Sequence, residues 1–225
     1  MRGKLIVIEG TDCSGKETQT NLLMEKLKSD GVLVVKFDFP NYNSPTGKII
    51  GGPYLGKEYI SSSWFAEGAI NVEPKVASLY YAADRLYNIN IINEILKEGK
   101  NVIIDRYTYS NMGHQGGKLD KKEDRLEMYK WIEQLEFDLL KLPKPDIGVF
   151  LHMPYEHALI LKQKRKEKPD GHEMSEQHLR SAEMAYTEIA EEYDFKTIKC
   201  YEGSAIRAIE DINQELCDYV IGQLK

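Results

Sequence analysis

A chain of 225 residues, 42% hydrophobic and 29% charged, is long enough to close one sizeable α/β core. A formal net charge of −6 gives it no overall pull toward nucleic acid or an anionic membrane, so any polyanion it handles must be met by local positive charge. Cys13, Cys200 and Cys217 are odd in number and lack metal-ligand spacing, which fits a reducing cytoplasm. The early apolar run Leu5 to Ile8 is far too short for a signal peptide or a membrane span.

The first strand, predicted over Lys4–Glu9, runs into Gly10-Thr11-Asp12-Cys13-Ser14-Gly15-Lys16-Glu17-Thr18, and a helical pattern leaves through Leu23 and Leu27. Two glycines and a lysine at this spacing are a weak signal alone. Between a buried strand and a helix they read as a phosphate loop, in which backbone N–H groups turn inward around phosphate oxygens and the helix points its positive end at them. Lys16 supplies a point charge for the β- and γ-phosphates. The plainer alternative is a Gly-rich turn that only joins strand to helix. Cys13 inside the loop reads as a small tolerated residue, with a reactive thiol as the alternative. Glu17 stands where a Ser or Thr usually meets Mg²⁺: it either ligates the metal through a carboxylate oxygen or swings aside.

Further strands are predicted at Leu33–Phe37, Val102–Asp105, Ile147–His152 and Lys196–Cys200. Most are continuous apolar runs, as in a parallel sheet covered on both faces. Helical patterns separate them. One starts near Pro74 and ends at Gly99, one carries Leu126, Trp131, Ile132, Leu135 and Leu139, and a last one follows Ser204. Tyr59 to Asn71 gives no clear pattern. The expectation is a three-layer α/β/α fold on a five-stranded parallel sheet, one domain over residues 1–225.

Three more groups of residues carry chemistry. Asp105 and Arg106 close a strand, and ligands of open parallel sheets bind beyond the carboxyl ends of strands. The carboxylate suits Mg²⁺ or its water, and the guanidinium grips a phosphate; a surface ion pair is the alternative. Tyr81 and Arg85, four apart, share a helix face and suit a base that is stacked and hydrogen-bonded at its edge. The alternative is a core Tyr beside a surface Arg. Lys162, Lys164, Arg165, Lys166 and Lys168 crowd five cations into seven residues before Pro169-Asp170-Gly171. That segment, about 162–174, reads as a lid for phosphoryl transfer, or else as a solvated face.

Together these runs resemble the thymidylate kinases, a P-loop nucleoside monophosphate kinase family, over about Lys4 to Tyr193. The resemblance rests on Glu9-Gly10-Thr11-Asp12 with Gly15-Lys16, Phe39-Pro40-Asn41-Tyr42 and Leu79 to Arg85. Asp105-Arg106-Tyr107-Thr108-Tyr109-Ser110, Leu142-Pro143-Lys144-Pro145-Asp146 and Asp170-Gly171-His172-Glu173 complete it. It implies a P-loop kinase fold and phosphorylation of dTMP to dTDP with ATP and Mg²⁺ by a cytoplasmic homodimer, with neither nucleic acid nor membrane as partner. In the base pocket it implies Tyr81 stacking on thymine, Arg85 reaching O4, and Phe39 and Pro40 as walls. Ser110, Asn111 and Gln115 would meet other polar edges. Asp12 would contact the acceptor's sugar or phosphate with Glu173 nearby, and Arg106 would hold its phosphate. Because the loop offers Cys13 rather than an arginine, the catalytic arginine falls to the lid, where Arg165 is the one candidate. Two positions depart from the family: His114 stands where Tyr or Phe usually faces the sugar's 2′ side, and Glu17 replaces the hydroxyl residue. Two other readings therefore stay open. One is a kinase for another deoxynucleotide or a deoxynucleoside; the other is a non-catalytic nucleotide-binding relative that lost its metal at Glu17. Retention of Lys16, Asp105 and Arg106 argues against the second.

Overall fold

The computed structural model describes residues 2–164, 171–172 and 175–224. Five parallel strands, β1 (Leu5–Gly10), β2 (Val34–Asp38), β3 (Asn101–Asp105), β4 (Ile147–His152) and β5 (Lys196–Lys199), form one sheet in the order β2-β3-β1-β4-β5. Each lies within a residue of its predicted bounds. The helices are α1 (Lys16–Ser29), α2 (Pro45–Ile49), α3 (Pro74–Lys97), α4 (Thr108–Gly116), α5 (Lys122–Glu133), α6 (Tyr155–Lys164), α7 (Glu176–Glu192) and α8 (Ile209–Leu224).

The pleat explains the layering. Ile6 and Ile8 of β1 and Ile103 of β3 face one side and pack with Leu23 and Leu27 of α1 and Ile212 and Leu216 of α8. Leu5, Val7, Val102 and Ile104 face the other, against Ile89 and Ile92 of α3, Met112 of α4, Ile132 of α5 and Ile189 of α7. All these strand residues are fully buried, which is why the strands read as unbroken apolar runs rather than alternating ones. Leu5 pairs with Val102 and Ile8 with Asp105, so the carboxyl ends of β1 and β3 finish side by side.

The structure corrects two sequence expectations. The last helix begins at Ile209, not after Ser204. A small antiparallel hairpin, β6 (Tyr201–Glu202) with β7 (Ala205–Ile206), comes first, turning at Gly203 with φ 55°. And the helix carrying Leu126 to Leu139 does not keep one α-helical face. Gln134–Leu139 is a π-helical turn, with Leu140 N–H donating to Leu135 O at 3.0 Å. The wider turn rotates the register, so Glu136 and Phe137 point inward and Leu139, expected on the apolar face, is 68% exposed.

Candidate active site

The loop between β1 and α1 is built by local backbone demands. Gly15 caps α1 at φ 82° and ψ 14°, a left-handed conformation that glycine adopts without strain. Cys13 holds φ 59° and Arg106, just past β3, φ 65°. Two non-glycine residues at positive φ on adjacent strand ends mark a site whose surroundings override local preference. Lys16 is buried, its Nζ 2.6 Å from Thr11 O and 3.4 Å from Ser14 Oγ. Burial, reinforced by Arg106 and countered by Asp105, lowers its amine to about 8.

Arg106 is held from three sides. It is ion-paired to Asp12, and its Nη1 lies 3.3 Å from the Tyr186 hydroxyl and 3.5 Å from Gly10 O. Burial alone would raise the Asp12 carboxyl, but Arg106 and the other groups around it, Lys16 among them, together hold that carboxyl well below its usual range. Beneath them sits Glu9, fully buried at the end of β1. Its carboxylate accepts from Tyr107 N–H at 2.8 Å, Ser110 N–H at 3.1 Å and Ser110 Oγ–H at 2.5 Å, so it caps α4 and pins the strained Arg106 turn. Tyr186 O–H in turn donates to Ser110 Oγ at 2.8 Å. Ser110, assigned to the base from the sequence, therefore spends its hydroxyl on this support while also lining the cleft.

A cleft of about 830 Å³ runs across the carboxyl end of the sheet. It is lined by Asp12 to Thr18 on the loop side and by Phe39, Pro40, Tyr81, Arg85, Asp105, Arg106, Asn111 and His114 on the other. Gln115 is not among the lining residues; both its amide atoms are buried without a hydrogen-bond partner. Arg85 is not a surface arginine. It is 2% exposed and clasps Glu136, itself fully buried, through Nε at 2.5 Å and Nη2 at 2.6 Å, with Nη1 3.4 Å from Tyr107 O. Glu136 also accepts from Thr108 and Asn111, both at 3.0 Å. The Asn111 amide is thereby oriented: Nδ2 serves two acceptors, Glu136 Oε1 and Ser78 O, and Oδ1 is left without a partner.

Glu17 and Thr18 are exposed in the first turn of α1, and both line the cleft. Asp105 is buried, and burial raises its carboxyl against the pull of Lys16 and Arg106. Two carboxylate oxygen donors bordering a phosphate loop fit a hard cation such as Mg²⁺. Of the basic segment, Arg165, Lys166, Lys168 and Glu173 lie outside the described residues.

Sequence reasoning missed three supports and one wall. Glu9 had a signal, a lone carboxylate closing an apolar buried strand. Glu136 was hidden by the π turn, and Tyr186 by its place on an ordinary apolar helix face. Ile206 and Arg207, from the unforeseen hairpin, line the cleft beside α1.

The model of the thymidylate kinase family matches residues 8–212, nearly the whole chain. The chain belongs to the thymidylate kinase family. Among its relatives, thymidylate kinase of Schizosaccharomyces pombe is 30% identical over 97% of this chain and 92% of that protein. A probable thymidylate kinase of Methanocaldococcus jannaschii is 31% identical over 96% and 94%. Human thymidylate kinase is 32% identical over 68% and 62%. Among solved structures, thymidylate kinase from Candida albicans superposes with a TM-score of 0.71 at 27% identity, covering 98% of this chain and 92% of that one. The three-layer P-loop kinase fold expected from the sequence is thus the fold found. As a thymidylate kinase the chain is a nucleotide-binding transferase that phosphorylates dTMP to dTDP, and the non-catalytic reading falls away.

Proposed function

We propose that the cleft transfers the γ-phosphoryl group of ATP to dTMP with Mg²⁺, in a cytoplasmic homodimer, by positioning and charge rather than by covalent catalysis. The observation that carries the reading is the order of groups along one cleft. An anion-binding loop and Lys16 come first, Arg106 follows on the neighbouring strand, and a pocket walled by Phe39, Pro40 and Tyr81 lies beyond. The loop from Gly10 to Thr18 holds the triphosphate, with Ile206 and Arg207 bordering the nucleotide side. Arg106 holds the acceptor phosphate and Asp12 orients it. A phosphate oxygen of dTMP bonds to the γ-phosphorus as the bond to the β,γ-bridging oxygen breaks. Glu17 and Asp105 would hold Mg²⁺, which would supply positive charge to offset that of the phosphates. Since no arginine stands in the loop, Arg165 of the lid, residues 162–174, supplies the cation that meets the moving group.

Base choice follows from donors and acceptors. The guanidinium N–H groups of Arg85 that Glu136 does not take can donate to an exocyclic oxygen, and Asn111 Oδ1 can only accept, as from a ring N–H. Thymine presents O4 and N3–H in that order. Cytosine presents an amino group and a bare nitrogen, leaving one guanidinium N–H and the Asn111 carbonyl unpaired at a cost of about 1–3 kcal/mol each. Turnover of ATP against dTMP, dUMP, dCMP and dAMP tests this. The expected order is dTMP, then dUMP weaker by one methyl contact, then dCMP and dAMP lower by tenfold or more (a factor of ten being about 1.4 kcal/mol). Equal turnover of dCMP and dTMP would overturn the pocket assignment.

A further inference from the structure

We infer that His114, His172 and His178 form a binding site for a borderline divalent cation of the Zn²⁺ class, joining α4, the foot of the lid and α7. One ring nitrogen from each lies within 4.8 Å of the other two. All three residues are buried or nearly so. Nδ1 of His114 is 3.3 Å from Nε2 of His178. Two ligands about 2.05 Å from one tetrahedral zinc stand about 3.3 Å apart, so this pair already has the spacing of a shared cation. The third imidazole lies near enough, within 4.8 Å, to turn toward the same point. His172 is followed after a short stretch by α7, and Gly171 N–H beside it donates to Leu55 O at 3.1 Å.

The outer contacts suit a metal site. The Tyr54 hydroxyl lies 2.9 Å from His172 Nε2, donates to Ala69 O at 3.0 Å, and is fixed further by Lys118 at 3.4 Å, so the ring is oriented from behind. Burial keeps His114 neutral, lowering it to about 3, and holds His172 well below its usual range for the same reason. Neutral imidazoles bind metal without first losing a proton. The same burial opposes any cation, and Arg106 and Lys16 add repulsion. Three metal–nitrogen bonds and the Asp12 carboxylate, whose charge acts on both His114 and His172, oppose that cost. Imidazole donors select Zn²⁺, Co²⁺ or Ni²⁺ over Mg²⁺, which takes oxygen. The site is therefore distinct from the pair Glu17 and Asp105. His114 also lines the cleft, so cation and acceptor nucleotide share a wall and each should alter the other's affinity by the same factor.

The test is metal binding itself, read apart from turnover. The untagged full-length chain is titrated with Zn²⁺ by calorimetry and with Co²⁺ by visible absorption, in millimolar Mg²⁺. One cation per chain with an intense tetrahedral Co²⁺ spectrum is expected. His114→Tyr, which keeps an aromatic ring in place, and His172→Asn and His178→Asn should each weaken binding tenfold or more, while His157→Ala and Cys13→Ser leave it unchanged (tenfold being the lower bound for even an outer partner). Thermal melts check that each variant folds, and His114→Tyr decides alone if the others do not. Absence of saturable binding, a pale octahedral Co²⁺ spectrum, or equal affinity in the parent and His114→Tyr would overturn the site.

Discussion

Lys16 is a buried amine, and in the function proposed above it is also a phosphate ligand; the two properties are linked. Its amine, pushed down to about 8 by burial, is favoured in the charged form when a triphosphate lies against it. ATP binding should therefore take up protons near and above about pH 8. Calorimetric enthalpies at about pH 8.5 should differ between buffers of unlike ionisation enthalpy; identical values there would place the titration elsewhere. Arg85 makes a second residue-scale case. Arg85→Met would leave the Glu136 carboxylate buried without its ion partner, and about 3–5 kcal/mol of stability should go with it, read by urea unfolding. Replacing both, Arg85→Met with Glu136→Leu, should recover part of that and leave Thr108 and Asn111 short of an acceptor. If the single change costs under about 1 kcal/mol, the pair is not the buried anchor described.

Helix α4 carries the site because α7 can lie directly on it. A Cβ at Gly113 would meet the Tyr186 ring at 2.8 Å, so this glycine sets the approach of the helix that braces Arg106. Gly113→Ala should cost about 1–3 kcal/mol by overpacking and should lower kcat, through the displaced Tyr186 hydroxyl, more than it changes the KM for ATP. A melt and a steady-state comparison separate the two effects. At this scale the sequence is easiest and hardest to read. The five strands were legible because two-sided burial writes itself as unbroken apolar runs, and the phosphate loop because glycine and lysine positions answer to backbone geometry. The π turn at Gln134–Leu139 was not legible, since nothing in its composition marks the extra residue, and with it went the partner of Arg85. The hairpin before α8 was missed for a simpler reason: two-residue strands are too short to show a period.

On the whole molecule, α3 presents one side that the described residues leave uncovered. Val76, Leu79, Leu86, Tyr87 and Ile91 are all exposed, spaced by helical turns along a single stripe. A second copy of the chain is the occupant that the homodimer reading calls for; on that reading the parent should run as a dimer by light scattering, and Leu79→Glu with Ile91→Glu should yield monomers. A parent that is monomeric at assay concentrations would remove the dimer from the account. The side-by-side finish of β1 and β3 carries another consequence. The loop after β1 and Arg106 after β3 spring from adjacent strands whose inner residues, Ile6 to Ile8 and Ile103 to Ile104, are wholly out of solvent. Protein regions open to hydrogen exchange in cooperative units, and the most enclosed strands open last, with the global transition. The amides of these two strands should then exchange more slowly than those of the β6–β7 hairpin, and the spacing between the loop and Arg106 should outlast every partial opening of the molecule short of complete unfolding.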